Sequence, residues 1–271
     1  MTLLSADGLT IALRGAPAPT VADLAFSLSA GECLGIAGES GSGKTLSARA
    51  LLGLLPPAFW VSGRILFKGM DLLKGGDAAF AAVRGRGIAW IPQMAVQPFD
   101  PLCPAGALLL EALECAFPEK RRSDLKKRLL GLIAELGFDR PEKAFGRYPH
   151  QLSGGEQQRL LVAGAAALEP EVLIADEPAT ALDAENALGL VRLLESVKAR
   201  GTALIFISHD LALVSRLADH VLVMQGGRAA ESGPVSVLKT SDNPCTRELA
   251  EARRRISRRF QEAMTEEEDA A

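Results

Sequence analysis

The chain has 271 residues, 48% of them hydrophobic and 23% charged, with a formal net charge of −3. That is material for one large core or a core with a small subdomain; no run of about eighteen apolar residues offers a membrane span and no basic region followed by an apolar run opens the chain, so membrane contact is expected only through partners. The charge gives no reason to expect nucleic acid, and Cys33, Cys103, Cys115 and Cys245 show neither CxxC spacing nor clustering, which reads as buried or incidental thiols rather than a metal site.

In chain order, short strands come first, at 3–13, 21–28 and 33–37. The third runs into GESGSGKT at 38–45, which fits GxxxxGK[ST] with Gly38, Gly43, Lys44 and Thr45 in the fixed places, and a helix starts near Gly43. Strand, glycine loop and helix are the context this motif requires. Gly38, Gly41 and Gly43 let the backbone turn its N–H groups inward along Glu39, Ser40 and Ser42, and the helix N-terminus adds positive potential. Lys44 is expected to reach β- and γ-phosphates, and the Thr45 hydroxyl to ligate Mg²⁺. A strand at 64–67 and a glycine break at Gly75 and Gly76 follow, then a strand at 87–91 leading to Gln93. From about residue 94 to 148 the pattern turns helical, with apolar residues at three- and four-residue spacing in 108–116 and 123–136.

LSGGEQQR at 152–159 sets Ser153 in an N-cap position with Glu156 three residues later, ahead of the apolar run 160–168. That is a capped helix start, and its Ser-Gly-Gly N-terminus is a second anion-facing helix end, a role compatible with plain capping. VLIADEP at 172–178 reads as a strand covered on both faces and ending in two carboxylates. Taken alone, such a pair is equally an N-cap; with the Lys44 loop upstream, Asp176 reads as the metal carboxylate and Glu177 as the general base. Helix Ala184–Ala199, strand Ala203–Ile207, a helix at 210–217 and a strand at 220–224 then alternate, predicting a mainly parallel sheet with helices on both faces. His209 followed by Asp210 reads, by itself, as a cap opening the helix. The tail is basic at 253–259 and acidic at 266–269, with Leu249, Ile256 and Phe260 at helical spacing, and is read as a solvated helix with fraying ends.

The glycine loop, the LSGG segment and the acidic strand end, in this order, resemble the nucleotide-binding subunits of ATP-binding cassette (ABC) transporters, over about residues 3–249. The resemblance implies an α/β fold: a P-loop NTPase (RecA-like) core with a mainly parallel sheet, an N-terminal antiparallel β subdomain and an inserted α-helical subdomain at 94–150. These make an ATPase domain at 1–241, followed by a C-terminal extension at 242–271. It implies ATP and Mg²⁺ as cofactors. Gln93 matches the Q-loop glutamine that senses Mg²⁺ and water and links to the membrane subunit, so it joins Thr45 and Asp176 as a metal candidate. Ser153, Gly154 and Gly155 match the signature that contacts the γ-phosphate of ATP held by a partner subunit. Asp183, in ALD at 181–183, matches the D-loop that crosses the dimer interface, and His209 the switch histidine that bonds the γ-phosphate. Catalysis is then expected of Glu177, His209, Lys44 and Gln93.

RYPHQLSGG at 147–155 and DNPCTREL at 242–249 resemble segments of the oligopeptide, dipeptide and nickel or metallophore importers, with Asn243 and Cys245 departing from the usual His and Tyr. FDPL at 99–102 resembles that group's element after the Q-loop, but Met94 and Ala95 replace its acidic-proline pair. Family members stack a first-strand aromatic on the adenine, whereas no Phe, Tyr or Trp precedes Phe26 here; Leu13 or Arg14 is expected to cover the base. The implied partners are a second ABC ATPase (a sister chain in preference to an identical copy), two transmembrane permease subunits and, indirectly, an extracytoplasmic solute-binding protein, with the chain peripheral on the cytoplasmic face of the cell membrane. A non-transport ABC ATPase docked on a carbon-phosphorus lyase complex is the alternative; a DNA-repair ATPase and a catalytically dead regulatory module fit less well, given the short insertion and the intact Lys44, Asp176, Glu177 and His209.

Overall fold

The computed structural model describes residues 1–93 and 99–251. The Met94 and Ala95 substitutions, the basic and acidic tail stretches, Ile256 and Phe260 lie outside the described residues. Strands β1 (Thr2–Leu13) and β2 (Val21–Ser29) pair antiparallel; β3 (Cys33–Gly38), buried throughout, feeds helix α1 (Lys44–Leu51). Strands β4 (Phe59–Phe67) and β5 (Met70–Asp71) complete an antiparallel sheet of order β2-β1-β4-β5. Helix α2 (Leu72–Val83) starts where the Asp71 carboxylate accepts the N–H groups of Leu73 and Lys74. The expected glycine break is a kink inside this helix, at Gly76 with φ 62°, because the cap and the buried Leu72, Phe80 and Val83 hold both halves.

After β6 (Ile88–Ile91) come α3 (Ala105–Ala116), α4 (Arg122–Glu135), α5 (Pro141–Phe145), a 3₁₀ turn (Pro149–Gln151) and α6 (Gly154–Ala167). Then β7 (Val172–Asp176), α7 (Ala184–Ala199), β8 (Ala203–Ile207), α8 (Leu211–Leu217), β9 (His220–Gln225), β10 (Arg228–Pro234) and α9 (Val237–Thr240) follow, and residues 244–251 are helical. The second sheet runs β10-β9-β3-β8-β7-β6, parallel except for the edge strand β10. Side chains alternate across it. Leu173, Ala175, Leu204 and Phe206 enter a core shared with α3, α4 and α6–α8, while Val172, Ile174, Ile205 and Ile207 enter a second core shared with the antiparallel sheet, α1 and α2. Both faces are dry, which is why these strands read as unbroken apolar runs. Helices lie on both faces, as expected, and the antiparallel sheet shares one of those faces with α1 and α2.

One acidic side chain ties the helical insertion to the core. Glu169, just past α6, is paired with Arg128 of α4 and lies 3.8 Å from Lys120, while Arg86 and Lys120 stack over the buried Phe117 ring at 4.6 and 4.1 Å. Farther along, the Ser241 and Thr246 hydroxyls donate to Glu231 and the Asn243 amide donates to Ala230 O at 2.9 Å, fastening residues 241–246 to β10. Among the described residues no helix is long and apolar enough to cross a membrane.

Candidate phosphate-binding and catalytic site

The ends of β3, β6, β7 and β8 meet at one edge of the parallel sheet, and the loop between β3 and α1 closes over them. At Gly38, with φ 151°, an added Cβ would lie 2.2 Å from the Met224 carbonyl oxygen, so only glycine lets the loop pass β9. Gly43 is the N-cap of α1 in a left-handed conformation, and no side chain caps that helix. Its first N–H groups therefore stay free to meet an anion.

Lys44 is buried, 8% exposed, and its Nζ donates to Gly38 O at 2.8 Å and Glu39 O at 2.7 Å. Burial lowers its pKa, against the opposing charges of Glu177, Asp176 and Glu39. The Thr45 hydroxyl donates to Asp176 Oδ1 at 3.1 Å. Asp176 is wholly buried, and its Oδ2 has no hydrogen-bond partner among the described residues. Burial is also the main reason its pKa is raised. A buried carboxylate oxygen without a donor, beside a hydroxyl, suits a hard divalent cation such as Mg²⁺.

Glu177 follows in a left-handed conformation, φ 51°, uncommon for a residue with a side chain and costing roughly 1–3 kcal/mol. Its N–H donates to Ile207 O at 2.9 Å, and its Oε2 receives the Thr180 hydroxyl at 3.0 Å and sits 2.6 Å from His209 Nδ1. A cleft of about 350 Å³ runs between the loop and these groups. Of the residues singled out in the sequence, Gly38, Ser40, Gly41, Gly43, Lys44, Thr45, Gln93, Glu177 and His209 line it. Glu39 and Ser42 stay in the loop's frame, with Ser42 buried, and Asp176 lies beneath. Leu46 and Thr180 line it too, and sequence reasoning passed over both. Thr180 had a signal: it stands three residues after Glu177, within hydroxyl reach.

Ser153, Gly154, Gly155 and Asp183 do not line this cleft. Ser153 Oγ accepts the Glu156 N–H at 3.2 Å and Glu156 Oε2 accepts the Ser153 N–H at 2.8 Å, the reciprocal cap expected, and Ser153 and Gly154 face solvent. Asp183 caps α7 by accepting the Asn186 N–H at 2.9 Å; that bond and the Asn186 side chain lower its pKa. Neither residue assigned to the base lines the cleft: Arg14 spends its Nε on Pro57 O at 3.1 Å, and Leu13, 42% exposed, ends β1.

A family profile described as ABC transporter matches residues 21–180. The chain is 35% identical over 266 residues to the metal-staphylopine import system ATP-binding protein CntD of Staphylococcus aureus strain NCTC 8325, covering 97% of this chain and 98% of that protein. It is 37% identical over 240 residues to the oligopeptide transport ATP-binding protein OppD of Bacillus subtilis strain 168, covering 86% and 66%. A solved ATP-binding subunit of an ABC transporter superposes with a TM-score of 0.73 at 25% identity, over 88% of this chain and 92% of that one. A phosphate loop, Thr45 bonded to the buried Asp176, a Glu177–His209 dyad and this family match agree: the chain belongs to the ABC transporter family, as an ATP-binding ATPase subunit.

Proposed function

We propose that the chain is the ATP-hydrolysing subunit of an importer, coupling ATP binding and hydrolysis to uptake of a peptide, a nickel or metallophore complex, or a similar small solute through membrane permease subunits. The names of the two relatives, one for metal-staphylopine import and one for oligopeptide transport, favour this over docking on a soluble enzyme. The observation that carries the reading is the convergence of Lys44, Thr45, Asp176, Glu177 and His209 on one cleft, with a second anion-facing helix end at Ser153 outside it. Such a surplus end has a use when two chains pack head to tail, each lending Ser153 and Gly155 to the γ-phosphate held by the other's Lys44, with Asp183 at the seam.

In this mechanism Lys44 exchanges the Gly38 and Glu39 carbonyls for phosphate oxygens, and Glu177 turns from His209 to orient and deprotonate water. His209 then stabilises the transferred group. Thr45, Asp176 and Gln93 would hold Mg²⁺, which supplies charge neutralisation at the β- and γ-phosphates when bound. We assign 1–241 to the ATPase domain, with 94–150 as its helical subdomain, and 242–271 to an extension. We further infer a sister ATPase as the partner, two permeases, a solute-binding protein acting through them, and residence on the cytoplasmic face of the membrane.

Glu177→Gln tests the central role. ATP affinity should stay near the parent value while steady-state hydrolysis falls by at least about 100-fold, and the paired form should accumulate on size exclusion in MgATP. Turnover at the parent rate would remove Glu177 from the mechanism.

A further inference from the structure

The side chain of Asn186, in the first turn of α7, bridges two parts of the molecule. Its Oδ1 accepts from Arg159 Nη1 at 2.6 Å, and its Nδ2 donates to Asp183 Oδ2 at 2.7 Å. Arg159 sits on α6, the helix that Ser153 caps; the same Nη1 donates to Leu136 O at 3.0 Å, and the guanidinium stacks over the Phe138 ring at 4.5 Å. Nearby, a Cβ added at Gly155 would lie 3.0 Å from Ala181 O and 3.3 Å from a Leu182 methyl, so the Ser153 helix and the Asp183 loop already touch.

The chemistry of the bridge is specific. A guanidinium has only donors and a carboxylate only acceptors, so the group between them must offer an acceptor on one side and a donor on the other. An amide does both, and only one orientation of it satisfies both neighbours. The bridge is also distinct from the helix cap, because the cap bond to Asp183 Oδ1 comes from the Asn186 backbone N–H and survives any side chain at that position except proline.

We propose that Asn186 is a positioning residue, holding the Asp183 carboxylate in fixed register with the Ser153 helix so that both present to a partner chain as one surface. The proposal rests on the two-chain site argued above. Its consequence is kinetic: without the amide, each element can reach the partner's nucleotide separately, and the closed arrangement needed for hydrolysis is populated less.

The test uses the full chain with its partner ATPase in MgATP. Asn186→Ala should lower kcat at least about tenfold, the scale set by losing hydrogen bonds to charged partners on both sides of the amide, while the ATP dissociation constant of the isolated chain stays within about twofold, since nothing in its own cleft changes. Asn186→Asp keeps an acceptor for Arg159 but sets a carboxylate against Asp183, so it should be at least as slow as Asn186→Ala. Parent kcat in Asn186→Ala, with Ser153→Arg inactive, overturns the proposal and leaves the two-chain site standing. Recovery in Asn186→Asp, or a melting temperature and ATP affinity that fall together in Asn186→Ala, also overturns it, as a plain packing role. If Ser153→Arg hydrolyses ATP at the parent rate, the two-chain reading itself falls and carries this proposal with it.

Discussion

Gly38 shows how little room the phosphate loop leaves. Its φ of 151° and the Met224 oxygen 2.2 Å from any added Cβ mean that Gly38→Ala must displace backbone rather than a side-chain tip. We expect a loss of about 2 kcal/mol or more, read as a melting temperature lower by roughly 4–8 °C. An unchanged melting temperature would show that β9 yields easily. Much of the arrangement at this scale was legible, because the 38–45 spacing singles out Lys44 and Thr45, and the two-carboxylate strand end, read together with that loop, singles out Asp176 and Glu177. Illegible were contacts that join distant residues. Asn186 meets a side chain 27 positions away, and no local pattern announces that. Arg14, expected beside the base, likewise has its Nε bonded to Pro57 O, 43 positions away.

Elements that carried their own periodicity or caps came out of the sequence with correct ends: α7 spans Ala184–Ala199 and β8 spans Ala203–Ile207, as expected. Strand β10 did not. RAAESGP has no β-branched residue, yet it pairs with β9 through a tight turn in which Gly226 and Gly227 have φ of 53° and 79°, so pairing overrode propensity. The join between helical insertion and core at Glu169 makes a pH-dependent prediction. Burial pushes its carboxyl pKa up, but the hydrogen bond and charge of Arg128, with Lys120 and Arg86, outweigh that and hold it below the usual carboxylate range. A depressed acid stabilises the fold fully above its unfolded pKa, and that contribution fades as pH falls through the folded value. Glu169→Gln should therefore unfold at lower urea than the parent at pH 7, with the gap closing below about pH 4; a gap independent of pH would mean the cations are indifferent to this charge.

For the whole molecule, the cleft and the Ser153 helix end are separate features of one chain, so hydrolysis should depend on association. ATPase activity per chain ought to fall on dilution as pairs separate and rise when a sister ATPase is supplied; a value that stays constant down to a monodisperse monomer by light scattering would place a complete site in one chain. The two cores flanking one sheet suit such a machine. They pack beneath the phosphate loop, and the helical insertion shares one of them with the sheet, with polar and cation-aromatic contacts around Glu169 and Phe117 added to that join.

Lys44, bonded to its own loop at Gly38 and Glu39, gives the cleft a further property. The ammonium is solvated in advance by main-chain oxygens, so a triphosphate displaces ligands instead of quenching a bare charge, and the hydrogen-bond count barely changes on capture. In the mechanism proposed above, discrimination between tri- and diphosphate would then fall to how far the freed ammonium must stretch, and a shorter tail on the nucleotide would leave the lysine folded home.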